Sequence, residues 1–187
     1  MEMELEITVL VNTGLKEVQE DLKNKGFKLI EKYQLNDIYM INRDVDLSKL
    51  TKLEILKKCI LVRDIVGIKK ELVYKYKNFA ENGDILEQGK VKCQILDIEK
   101  GKHFMEAINY KELFKIFDES YVYSNDKIEI VVQFVNNKYI FIEFEDNNNT
   151  YNSIEELKKA LDMYNLPYNK DNYFVKKALI ILEETIK

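Results

Sequence analysis

Two short stretches near the ends of this 187-residue chain alternate glutamate with apolar residues: Glu2-Met3-Glu4-Leu5-Glu6 and Phe141-Ile142-Glu143-Phe144-Glu145. On a strand successive side chains point to opposite faces, so Glu4 and Glu6 share one face about 7 Å apart, and Glu143 and Glu145 do the same. Each strand then has one face that must be buried and one that must stay wet or hold a ligand. Set side by side, the two strands concentrate four carboxylates, which raise one another's pKa unless cations sit among them. Oxygen-only clusters of this kind suit Mg²⁺ or Mn²⁺. Taken singly, either stretch equally reads as the solvated face of an antiparallel strand.

Composition sets the bounds. One Pro, six Gly, 46% hydrophobic and 33% charged residues predict a single compact domain over 1–187 with no linker dividing it. A net charge of −4 with 29 basic residues gives no global basic field, so nucleic acid is not an expected partner. No signal-peptide pattern opens the chain and no apolar run nears the ~20 residues of a membrane span, so a cytoplasmic location and no membrane partner are expected. Cys59 and Cys93 lie in apolar, strand-like runs and are expected to be free, buried thiols. His103, the single histidine, is expected on an exposed helix face.

Periodicity predicts strands over Met3 to Val11, Phe27 to Ile41, Cys59 to Val66, Lys69 to Phe79, Leu86 to Leu96, Leu113 to Tyr123, Lys127 to Val135 and Lys138 to Glu145. Turns are expected at Asn82-Gly83, Ser124-Asn125-Asp126 and Asn136-Asn137. Helices are expected around Leu15, Val18 and Leu22, from Ile98 to Ile108 with Phe104, Met105 and Ile108 inward, from a capping box at Ser153 to Glu156, and from Tyr173 to Ile186. The segment around Leu47, Leu50 and Leu53 is ambiguous. Eight mostly antiparallel strands with helices between and after them predict an α+β fold. Closed into a barrel, with first and last strands sealing it and helices packed outside, they would leave a lumen for a small ligand.

Across nearly its whole length the chain resembles the CYTH superfamily, the triphosphate tunnel metalloenzymes, which include class IV adenylate cyclases, thiamine triphosphatases and inorganic triphosphatases. Glu4-Leu5-Glu6-Ile7-Thr8 resembles the family's opening Glu-x-Glu-x-Lys, with Thr8 in place of the lysine. Gln34-Leu35-Asn36-Asp37-Ile38-Tyr39-Met40 resembles its second strand, Leu61-Val62-Arg63 its Arg-x-Arg strand with Leu61 at the first arginine, and Tyr74-Lys75 the Tyr-Lys that follows. Phe141 to Glu145 matches the closing acid strand, and Asn172-Tyr173 is similar to the Ser-Tyr of the last helix. The departures are Lys90, Lys92 and Gln94 where the family has a central Glu-x-Glu, a single base near Lys115, and Gln133 in place of an Asp.

The resemblance implies an eight-stranded antiparallel tunnel with Glu4, Glu6, Glu143 and Glu145 as ligands of Mg or Mn. It further implies Arg63, Lys75 and Lys92 as phosphate ligands and Tyr173 as a further ligand contact. Strand parity independently sets Glu4, Glu6, Glu71, Glu129, Glu143 and Glu145 against Arg63, Lys75, Lys77, Lys90 and Lys92 in one lumen. The leading expectation is metal-dependent hydrolysis of a triphosphate or polyphosphate compound. Because the charges nearly cancel, a degenerate protein that binds an anionic phosphate ligand is the alternative, with fixed ammonium groups such as Lys92 standing in for metal. A class IV cyclase is the third reading.

Overall fold

The computed structural model describes residues 6–79, 85–145, 150–151 and 153–186. Its strands are β1 (Glu6–Leu10), β2 (Lys28–Asn42), β3 (Ile60–Ile65), β4 (Lys69–Phe79), β5 (Ile85–Ile95), β6 (Tyr110–Ser124), β7 (Glu129–Val135) and β8 (Tyr139–Glu145). The helices are α1 (Leu15–Asn24), α2 (Lys52–Lys57), α3 (Ile98–Ala107), α4 (Ile154–Asp162) and α5 (Lys177–Thr185). The eight strands form one antiparallel sheet ordered β1-β8-β7-β6-β2-β3-β4-β5, so the α+β class holds.

First and last strands do pair, in the register Glu6↔Glu145, Thr8↔Glu143 and Leu10↔Phe141. Among the described residues the hydrogen-bonded ladder runs on from β8 and ends at β5, with no β1–β5 pairing to close it. What the hydrogen bonds give is an eight-stranded sheet whose end strands are β1 and β5. The outer edge of β1 is occupied by the segment before α5: the Thr8 N–H donates to the Tyr173 carbonyl (3.1 Å), and the Val175 N–H to the Thr8 carbonyl (2.9 Å). The Asn169 N–H likewise donates to the Leu10 carbonyl (2.9 Å). Edge groups that would otherwise recruit another strand are thereby satisfied. The same contacts explain why the last helix begins at Lys177 rather than at Tyr173.

The chain forms two compact units, Met1–Gln34 with Asp118–Lys177, and Leu35–Phe117 with Ala178–Lys187. In the first, the apolar face of β1, β7 and β8 (Ile7, Val9, Ile130, Val132, Ile142, Phe144) packs with Val18 and Leu22 of α1 and Leu157 and Leu161 of α4. These helical residues recur at three- and four-residue spacing, which puts them on one stripe. Ser153 caps α4, its Oγ accepting the Glu156 N–H (3.3 Å). The β7–β8 hairpin turns through Asn136 and Asn137 at φ 51° and 54°, the left-handed pair that suits a two-residue hairpin turn.

In the second unit Met40, Val62 and Met105 form a small core. Here the inward face of α3 differs from expectation: Met105 is buried, whereas Phe104 and Ile108 are exposed. The contact face runs through Ile98, Gly101 and Met105 instead, and Gly101 permits it, since a Cβ there would lie 2.5 Å from Ile95 Cδ1. The ambiguous leucine-spaced stretch becomes a 3-10 turn, Leu47–Lys49, followed by α2, which opens with a full capping box between Thr51 and Glu54. The expected Asn82-Gly83 turn lies outside the described residues.

Candidate functional site

In the first unit one face of the sheet is polar. Register places Glu6 and Thr8 of β1, Glu143 of β8, Gln133 of β7, and Ser120 and Asp118 of β6 in neighbouring rows on the face opposite the apolar core. Thr8, Gln133, Ser120 and Asp118 are buried. Their side chains make three separate hydrogen-bonded pairs: Thr8 Oγ1 donates to Glu6 Oε1 (3.3 Å), Gln133 Nε2 to Glu143 Oε2 (3.1 Å), and Ser120 Oγ to Asp118 Oδ1 (2.9 Å). Lys177, the first residue of α5, donates to Asp118 Oδ2 (3.0 Å) and stands 4.0 Å from Glu143 Oε2.

Tyr33 of β2 joins the cluster through a hydrogen bond with Ser120. Burial, together with the nearby Glu143 and Asp118 charges, pushes its hydroxyl pKa up. Gln133 Oε1 is buried and has no hydrogen-bond partner. Buried acceptors are almost always satisfied, so an orphan at the centre of a polar cluster marks a place where a water or ligand completes the set.

The second unit carries another polar row. Asp37 of β2, Arg63 of β3, Glu71 of β4 and Gln94 of β5 lie side by side in register. Arg63 makes a two-pronged pair, Nε donating to Asp37 Oδ1 (2.7 Å) and Nη2 to Asp37 Oδ2 (2.6 Å). Burial alone would lower the Arg63 pKa, but the hydrogen bonds and charge of Asp37 outweigh it and the pKa is raised. Glu71 pairs with Lys69 (3.0 Å). On the same face, Lys75 stands directly opposite Lys90, and the alternate position on β5 is Lys92, which is exposed.

Of the residues singled out from sequence, Glu6 and Glu143 share the polar face of the first unit, and Glu145 stands opposite Glu6 in register. Glu4 lies outside the described residues. Arg63, Lys75 and Lys92 share a face of the second unit. Tyr173 is turned to the helical side, its hydroxyl donating to both carboxylate oxygens of Asp162 (2.8 and 2.9 Å) while its ring packs on the core. His103 is exposed, Cys59 is buried and free, and Cys93, expected to be buried, is exposed and free on the end strand β5.

Sequence reading missed Lys177, Asp118, Ser120 and Tyr33. A signal existed for two of them: Asp118 and Ser120 occupy the parity of Phe114, Ile116 and Val122, so they are polar residues in an otherwise buried row. Lys177 gave none, because its partners are 34 and 59 residues distant in sequence.

No protein-family model matches the chain. A candidate adenylate cyclase of Methanocaldococcus jannaschii is 28% identical over 181 residues, covering 95% of this chain and 97% of that protein. A Pyrococcus horikoshii protein of solved structure superimposes with a TM-score of 0.67 at 20% identity, over 97% of this chain and 99% of its own. A candidate adenylyl cyclase from Hippeastrum, reported with a dominant triphosphatase activity, superimposes with a TM-score of 0.66 at 14% identity, over 97% and 96%. At these identities the structural likenesses establish a shared fold. Among the described residues no helix is long and apolar enough to cross a membrane.

Proposed function

We propose that this chain is a CYTH-type protein that binds a triphosphate- or polyphosphate-bearing small molecule, and that it hydrolyses that compound with Mg²⁺ or Mn²⁺. The observation that carries the reading is the polar face of the first unit, where Glu6 and Glu143 lie in rows neighbouring the buried, unpartnered amide oxygen of Gln133. Carboxylate oxygens are the donors that a hard cation beside phosphate needs. In the second unit, taken by itself, Lys75, Lys90 and Lys92 share one face of β4 and β5, and ammonium groups suit phosphate oxygens. The likeness to a Hippeastrum protein with triphosphatase activity supports the choice of chemistry.

The donor set suits the metal in kind, being carboxylate oxygens of Glu6 and Glu143, with the orphan amide oxygen of Gln133 in a neighbouring row. Among the described residues no three acids already converge closely enough to grip an ion. Glu4 would supply a further donor. A bound divalent ion would neutralise phosphate charge; the chain's own residues would orient the compound and exclude water from it.

A second reading, a binder that does not hydrolyse, is favoured by one specific observation. Arg63, the guanidinium expected to grip phosphate, is already committed at both prongs to Asp37. A cyclase activity has in its favour the name of the archaeal relative. Calorimetric titration with tripolyphosphate tests the common premise: Lys75→Ala and Lys92→Ala should each weaken binding about tenfold, the loss of roughly one charge-assisted contact. Binding that neither substitution alters would remove the basic row from the site.

A further inference from the structure

Lys177 stands 4.0 Å from Glu143 Oε2 while it donates to Asp118. Three observations make it more than a surface pair. Its principal partner, Asp118, is only 2% exposed, so that carboxylate has no water to compensate its charge. Lys177 is also the first residue of α5, where the helix dipole disfavours a positive charge, so the carboxylates must hold it there against that field. Finally, the buried Gln133 Oε1 adjoins the pair with no donor to satisfy it, although Gln133 Nε2 already holds Glu143.

We infer that Lys177 is a resident counter-cation of the carboxylate face, competing with a divalent ion for Glu143. The inference rests on the metal-binding part of the reading above and adds a control to it. A dipositive ion and an ammonium about 4 Å from the same carboxylate oxygen repel each other, and each takes a share of the negative charge the other needs. Loading the ion therefore requires Lys177 to leave Glu143 and retain Asp118 alone. Without metal, Lys177 keeps the buried acids compensated and the face intact, so the protein does not depend on the ion to stay folded. Metal affinity is correspondingly lower than the acid count alone would give.

The test is Mn²⁺ binding, measured by the electron paramagnetic resonance of the free ion, to the full chain and to Lys177→Gln and Lys177→Arg. Lys177→Gln should bind Mn²⁺ about tenfold more tightly than the unsubstituted protein, and its melting temperature should rise further on adding Mn²⁺. Lys177→Arg, which keeps the charge, should bind as the unsubstituted protein does. Should Lys177→Gln fail to fold, acetylation of the unsubstituted protein followed by mass spectrometry answers the same question, with Lys177 becoming more reactive when Mn²⁺ is added. Equal or weaker Mn²⁺ affinity in a folded Lys177→Gln, or acetylation of Lys177 that Mn²⁺ leaves unchanged or lowers, would overturn the inference alone. Absence of Mn²⁺ binding to any of the proteins would overturn it together with the metal part of the proposed function.

Discussion

Arg63 shows how a residue type that suits one role can be claimed by another. An arginine on a strand face beside lysines reads as a phosphate ligand, yet its fork is matched by the carboxylate of Asp37, which is 4% exposed. Removing one partner of such a pair leaves a buried charge uncompensated. Arg63→Met should therefore lower stability by about 3 kcal/mol in urea unfolding, with Asp37→Asn Arg63→Met recovering much of the loss. A loss under about 1 kcal/mol for Arg63→Met would mean that the pair contributes no more than a surface bridge.

The two cysteines separate just as sharply. Cys93 is exposed, whereas burial pushes the Cys59 thiol from 9.0 up to about 12, with its Sγ–H donated to the Ile55 carbonyl. At pH 8 one thiol per chain should react promptly with a disulfide reagent and the second only in denaturant. The unfolded chain loses the Cys59 proton at lower pH than the folded one. Its contribution to stability is therefore complete below pH 9 and is lost as pH rises towards 12. Cys59→Ala should flatten that part of the stability curve.

Among the elements, strands were the most legible because their period-two alternation is enforced by a wet face and a dry one. The pairing of the two acid strands followed from their matching patterns, and β1 and β8 are adjacent. Where α5 begins was not legible. Tyr173 to Val175 have helical periodicity, but their backbone is bonded to Thr8, more than 160 residues away, and a non-local contact overrides a local preference. The inward face of α3 was misread for a similar reason: Gly101, which has no apolar side chain to signal burial, sits closest to the sheet. Local signals located the cap of α4 at Ser153, whereas the cap of α2 was not read from the sequence. At α2 both halves of a capping box are made, Thr51 Oγ1 accepting the Glu54 N–H (3.3 Å) and Glu54 Oε2 accepting the Thr51 N–H (2.7 Å). Thr51→Ala should cost about 1 kcal/mol in thermal or urea unfolding, while Thr51→Ser should cost little.

For the molecule as a whole, the fold was more legible than the site. Alternation, turn residues and the order of motifs led to an eight-stranded antiparallel sheet, and solved structures share that fold. The acids of β1 and β8 and the lysines of β4 and β5 were visible as charge on one parity. The groups that compensate those acids were not, because Asp118, Ser120, Gln133 and Lys177 meet only through tertiary structure. The proposed hydrolysis requires a divalent ion and the phosphate compound to be bound at the same time.

Phosphate release from inorganic tripolyphosphate, ATP and thiamine triphosphate decides this most directly, measured with Mg²⁺ or Mn²⁺, with chelator, and with Glu6→Gln Glu143→Gln as control. A working site should release phosphate from at least one of the three only when metal is present, and the double substitution should reduce the rate by at least 100-fold. No release from any of them by a folded protein that still binds tripolyphosphate would contradict hydrolysis and leave a protein that binds phosphate compounds without cleaving them.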